Sequence, residues 1–112
     1  MRTIKAYKHY YKEFFDSLSR GVQEKILYGM LKLKNERFLS SKFVKLIRDG
    51  LYELRIEYQG NIYKIFFIFD EGNIVILFNG FQKKTDKTPK NEIDKALRLK
   101  QEYYEQKGNG VV

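Results

Sequence analysis

The chemistry open to this sequence is mostly cationic. Arg55 and Lys64 stand in the middle of the chain, and Lys83, Lys84, Lys87 and Lys90 follow as a basic run. Ammonium and guanidinium groups hold anionic oxygens, and an array of them binds a sugar–phosphate backbone without reading its sequence. The same groups stabilise charge that develops on a phosphoryl oxygen during a reaction. A lysine crowded by like charges also holds its proton less tightly, which is the condition for serving as a base near neutral pH. Phe66 and Phe81 lie close by in sequence and, if exposed, would stack on bases. The plainer alternative is that the lysines solvate a loop and that Arg55 pairs with its neighbours Glu53 and Glu57.

Other chemistries are excluded by residue type. His9 is the only histidine and cysteine is absent, so neither a two-histidine acid–base mechanism nor a Cys–His nucleophile is possible. His9 itself reads as a structural or surface residue. The eight glycines are scattered along the chain, with no phosphate-cradling loop among them. Glu53 and Glu57 share a strand face, but Arg55 between them favours ion pairing over a metal site. No metal and no other cofactor is expected. Tyr52 and Tyr63 are spare candidates for a proton donor, against the simpler expectation that both pack in the core.

A single domain must position these groups, because 112 residues leave little room for two. A hydrophobic fraction of 43%, with nine Tyr and nine Phe, is enough to build a core without disulfides. The net charge of +8 concerns partners rather than fold: nucleic acid, an anionic membrane or an acidic protein would each answer it. The stretch from Met1 to Lys12 is polar and lacks an apolar signal region. The longest apolar runs, Ile65 to Phe69 among them, fall far short of the roughly 20 residues that span a bilayer. A soluble, cytoplasmic protein is expected.

The hydrophobic pattern divides the chain into elements. A short strand is expected at Arg2 to Tyr7. Tyr11, Phe14, Phe15 and Leu18 recur at helical spacing, and Val22, Ile26, Met30 and Leu33 form the apolar stripe of a second helix capped by Ser19. Gly29 within that helix would allow close contact with a neighbouring element. The long connection from Asn35 to Gly50 stays unassigned. Leu51 to Tyr58, Asn61 to Phe69 and Asn73 to Phe81 then read as a three-strand antiparallel meander, joined at Gln59-Gly60 and Asp70-Glu71-Gly72. A last helix is expected from Thr88 as cap and Pro89 as first residue, with Ile93, Ala96, Leu97 and Tyr104 as its apolar stripe. The whole is an α+β domain, residues 1–107, with helices on one face of an antiparallel sheet and a loose tail from 108 to 112.

Three segments resemble a known family. Gly50-Leu51-Tyr52-Glu53-Leu54-Arg55 is similar to a "GL-aromatic-ELR" strand, and Tyr63-Lys64-Ile65-Phe66-Phe67 to the strand that follows it. Ile76 to Thr85, containing Gly80-Phe81-Gln82-Lys83-Lys84-Thr85, followed by Thr88-Pro89, is similar to a "GF-x-KKT…TP" run that leads into a final helix. Together they resemble the phage-derived, HigB-like branch of the RelE superfamily of type II toxins, over about residues 46 to 100. The resemblance implies a RelE-like domain and a ribosome-dependent mRNA endonuclease in which the 2′-hydroxyl attacks the adjacent phosphate without metal. It implies that Arg55 and Lys64 bind the phosphate, and that Lys83 and Lys84 hold RNA, one of them assisting proton transfer. Lys87 and Lys90 would extend the RNA contact. It also implies a helix-turn-helix antitoxin as partner, for which an apolar face left over on the first helical pair is the candidate surface. Two departures from the family pattern are Lys64, where relatives often carry Arg, and Asn79, where they often carry His. The competing expectations are a non-catalytic RNA- or ribosome-binding module, and a protein of the same fold that acts on a protein target.

Overall fold

The computed structural model describes residues 1–110. The elements run β1 (Thr3–Ala6), α1 (Tyr10–Asp16), α2 (Arg20–Asn35), β2 (Val44–Arg48), β3 (Leu51–Tyr58), β4 (Asn61–Asp70), β5 (Ile74–Lys83) and α3 (Lys90–Gly108). The expected α+β class, the three helices and the β3–β4–β5 meander are all present. The sheet, however, has five strands in the order β1-β5-β4-β3-β2, and β1 runs parallel to β5, so it is mixed rather than antiparallel. The additional strand, β2, comes from the segment that the hydrophobic pattern left unassigned. It is folded back on β3 by the two-residue turn Asp49-Gly50, whose φ angles of 52° and 76° are those of a type I′ hairpin.

Helices cover both faces of the sheet, not one. On one face α1 and α2 bury Val22, Ile26 and Leu33 against Leu54, Ile56, Ile65, Phe67 and Leu77. On the other, α3 buries Ala96, Leu99 and Tyr103 against Leu51, Phe66, Ile68, Ile76 and Phe78. A strand covered on both sides is buried along its length, and Tyr63 to Ile68 is continuously buried, with Lys64 the one charged residue among them. The apolar stripe of α3 also differs from expectation: Tyr103 faces the core, whereas Tyr104 is 40% exposed. The helix begins at Lys90 with Pro89 as its N-cap, so Thr88 lies just outside it. It runs through Gly108, which shortens the expected tail; residues 111 and 112 lie outside the described residues. Ser19 caps α2 by position, without a side-chain hydrogen bond. No helix among the described residues is long and apolar enough to cross a membrane.

Polar ties hold α3 in place at its far end. Tyr103 Oη and Lys107 Nζ both donate to Asp70 Oδ2, at 2.6 and 2.7 Å. Burial raises the Asp70 carboxyl, but the two donors outweigh it and hold the group below its ordinary value. Tyr7 Oη donates to Glu102 at 2.7 Å, tying the chain after β1 to the same helix.

Two glycines mark close approaches. A Cβ on Gly29 would stand 2.5 Å from Ile56 Cδ1, so α2 lies directly on β3, as the glycine's position within the helix suggests. Gly80 is tighter: a Cβ there would be 2.6 Å from Cε2 of Phe14 and 3.0 Å from the carbonyl oxygen of Lys64. The ring of Phe14 thus packs directly on β5 at Gly80, and the Lys64 carbonyl beside it is backbone, which yields less readily than a side chain. Gly80→Ala is expected to cost about 1–3 kcal/mol through overpacking, measured as a lower urea midpoint with an unchanged slope.

Candidate functional site

α3 lies mainly over β5 and leaves part of its sheet face open above β2, β3 and β4. Strand alternation decides which side chains line this opening. Tyr52, Leu54, Ile56 and Tyr58 pack toward α2, so Glu53, Arg55 and Glu57 project on the opposite, open face. Arg55 lies directly across from Lys64 on β4, Lys45 of β2 across from Glu53, and Lys83 of β5 across from Ile62.

The result is a groove of two lobes. One, of about 500 Å³, is lined by Lys42, Lys45, Glu53, Arg55, Glu57 and Lys64 with Ser41 and Phe43. The other, of about 410 Å³, is lined by Lys45, Glu53, Lys64, Lys83, Asp86, Lys87 and Thr88 with Leu46, Ile47 and Ile93. Lys45, Glu53 and Lys64 belong to both, so they form the floor where the lobes meet. Six cations against three carboxylates make the groove strongly positive. Positive charge gathered in a concave, partly desolvated surface focuses its field on an incoming anion.

Lys64 is the most enclosed of these cations. It is 7% exposed, forms an ion pair with Glu53, itself 3% exposed, and donates from Nζ to Thr88 Oγ1 at 3.3 Å. The Thr88 hydroxyl thus serves the groove instead of capping α3. Arg55 Nη2 donates to Glu57 Oε2 at 2.9 Å, yet its side chain remains 37% exposed and within reach of a ligand. The ion pairing expected for Arg55 is therefore present, but with Glu57 alone, while Glu53 belongs to Lys64.

The structure brings together Arg55, Lys64, Lys83 and Lys87 and separates the other expected site residues from them. Lys84 is exposed and lines neither lobe. Lys90 is 87% exposed and faces Asp94 at 3.5 Å, outside the groove. Phe66 and Phe81 are corrected outright: they are 0% and 8% exposed, stacked on each other at 5.7 Å beneath α3. Neither ring is available to a base, because α3 occupies the surface they were expected to offer. Tyr63 and Tyr52 sit in the core toward α2, with Tyr52 stacked on Phe67 at 5.6 Å, which leaves no proton donor there. His9 lies on the surface, 3.6 Å from Glu13.

Sequence reasoning missed Lys42, Lys45 and Thr88 as groove residues and Glu53 as the partner of Lys64. The signal for Lys45 was present: Val44-Lys45-Leu46-Ile47-Arg48 followed by Asp49-Gly50 is a short strand before a hairpin turn. Asn79 is 3% exposed and donates from Nδ2 to both the carbonyl and the side chain of Glu92, at 3.2 Å each. It holds the first turn of α3 and does not line the groove.

A five-strand sheet clasped by two helices on one face and partly covered by a terminal helix on the other, with a cationic groove in the uncovered part, is broadly a RelE-like α+β domain. Residues 13–101 match the family described as phage-derived Gp49-like proteins (DUF891), and the chain belongs to that family, a toxin-like one in the RelE and HigB area. No curated protein is significantly similar to the chain.

Proposed function

We propose that this protein is the toxin of a type II toxin–antitoxin system, of the HigB-like branch, and acts in the cytoplasm as an endoribonuclease on ribosome-bound mRNA. In this reading the 2′-hydroxyl attacks the adjacent phosphate without metal, and translation stops because the message is cut. The observation that carries it is the groove itself: Arg55 and Lys64 directly opposite each other on adjacent strands, with Lys45, Lys83 and Lys87 around them. That spacing suits one phosphodiester held from two sides. Family membership supports a toxin-like protein, and the matched residues 13–101 include every residue that lines the groove.

The test is to add purified protein to a reconstituted translation reaction and map new mRNA 5′ ends by primer extension, with a parallel sample lacking ribosomes. New ends at A-site positions, only with ribosomes present, are expected. Intact mRNA from folded protein would overturn the reading. Salt-sensitive RNA binding without new ends would replace it by a binding module, and intact mRNA with arrested DNA replication by a protein target.

The partner in this reading is a helix-turn-helix antitoxin, docked away from the cationic groove. An apolar trough between α2 and β1 is lined by Ile4, Ala6, Tyr11, Leu27, Met30, Leu31 and Leu77, with Lys34 on its rim. Leu27 and Leu31 are 51% and 57% exposed, and side chains four apart share a helix face. An amphipathic segment with acidic flanks would cover the trough and answer the chain's +8 charge. Leu31→Glu is expected to weaken antitoxin binding by about tenfold or more in calorimetry, while mRNA cleavage by free toxin is unchanged. Unaltered affinity would place the partner elsewhere.

A further inference from the structure

The proposed cleavage requires a group that removes the proton of the attacking 2′-hydroxyl, and few side chains of this chain can do so from within the groove. His9 is on a distant surface, Tyr52 and Tyr63 lie on the other side of the sheet, and the groove's lysines, Lys64 in its ion pair with Glu53 among them, serve as the cations that hold the phosphate. Three carboxylates remain. Glu57 lines only the first lobe, is 56% exposed and is held by Arg55; Asp86 lines only the second and is exposed on the strap before α3. Glu53 differs from both. It is 3% exposed, lines both lobes at their junction, and is fixed there by Lys64 and by its place directly across from Lys45.

We infer that Glu53 is the general base of the cleavage reaction, taking its proton from the RNA 2′-hydroxyl, an assignment that rests on the endoribonuclease reading. As the 2′ oxygen bonds to phosphorus, its proton passes to the Glu53 carboxylate. The bond from phosphorus to the 5′ oxygen breaks, and that oxygen leaves with a proton from the Lys83 ammonium, which lines the same lobe. The products are a 2′,3′-cyclic phosphate and a 5′-hydroxyl. The proton gained by Glu53 and the one lost by Lys83 balance through solvent, and no water, metal or oxidant is consumed. Lys64 holds the carboxylate in place and faces the phosphate as its charge grows. Arg55, across from Lys64, completes the clamp.

The experiment uses ribosome-bound mRNA with sulfur in place of the 5′ oxygen at the scissile linkage, beside the ordinary message. A thiolate leaves without protonation, so sulfur relieves the loss of a general acid and not the loss of a general base. Glu53→Gln is expected to slow single-turnover cleavage of the ordinary message by about 10²–10⁴, with the loss persisting on the sulfur message. Lys83→Ala is expected to recover on the sulfur message. Cleavage by Glu53→Gln within threefold of the parent, or full recovery with sulfur, overturns the assignment; so does a rise in KM alone, which would make Glu53 only a support for Lys64. If Glu53→Gln does not fold, Glu53→Asp keeps the charge beside Lys64 and withdraws the carboxylate by one methylene. A slower Asp variant that sulfur does not rescue supports the base, and full-rate cleavage overturns it. A parent protein that leaves mRNA intact defeats the endoribonuclease reading itself, an outcome separate from all of these.

Discussion

Arg55→Ala is expected to slow mRNA cleavage by about 10²–10³ while leaving the fold intact, since losing one preorganised charged donor typically costs that much. The two halves of this expectation come from the same geometry. Arg55 is 37% exposed and its partner Glu57 is 56% exposed, and a pair so open to water contributes only about 0.2–1 kcal/mol. Its removal therefore barely touches stability. A phosphate entering the groove meets a different Arg55: the guanidinium fork offers two parallel donors, in a concave surface where water is partly displaced. Arg55→Lys keeps the charge and loses the fork, so its rate should fall between parent and Ala. Initial rates from primer extension, with thermal melts of each variant, check both halves. An Ala variant that cuts at the parent rate would remove Arg55 from the site and leave Glu57 as its only role.

What could be read from the sequence, and what could not, follows from the period of each signal. The β3–β4–β5 meander was legible because two-fold alternation, β-branched residues and glycine turns agree over long runs. β2 carried a weaker signal, a run of only five residues before the Asp49-Gly50 turn, at an edge and with a register shift between Leu46 and Arg48. The second covered face was missed for a related reason. Tyr63, Ile65 and Phe67 announce one buried face, while Phe66 and Ile68, which alternate with them, carry no mark in the sequence of what covers the other. In the fold that side is buried by α3, whose inward residues Leu99 and Tyr103 were not in the expected stripe. The misplacement of Phe66 and Phe81 at the site follows from that single omission. By contrast, a shared face for Arg55 and Lys64 follows from the Gln59-Gly60 turn and strict alternation, and the register sets the two directly across from each other. The pairing of Lys64 with Glu53 had no sequence signal, since it depends on a diagonal contact and on the depth of the groove. The strap divides the basic run: Lys83 and Lys87 face inward while Lys84 and Lys90 do not, a distinction that a lysine-rich loop cannot announce in advance.

Lys64→Ala should be the most destabilising single change at the site, by about 3–5 kcal/mol, because it leaves the Glu53 carboxylate buried without its counter-ion. Glu53 and Lys64 are 3% and 7% exposed, so neither charge can recover its hydration by a small movement. Against a total stability of about 5–15 kcal/mol for a domain of ordinary size, that is a large fraction. The ion pair is nonetheless a weak source of net stability, since both groups lost their water to form it. Replacing both charges at once should therefore be far milder than the single losses: Glu53→Gln with Lys64→Met is expected to cost well under the sum of the two. Urea unfolding of the four proteins gives the coupling directly. Equal and additive losses would mean that the two groups act independently and that the buried pair is not what holds the floor of the groove. Strong coupling, together with cleavage abolished in the stable double variant, would separate the two roles of the pair. The fold can do without these charges as long as both are removed, whereas phosphate binding and proton transfer need each of them where it stands. A buried pair that contributes little to stability, at the junction of both lobes of a cationic groove, belongs to the function of this domain more than to its folding.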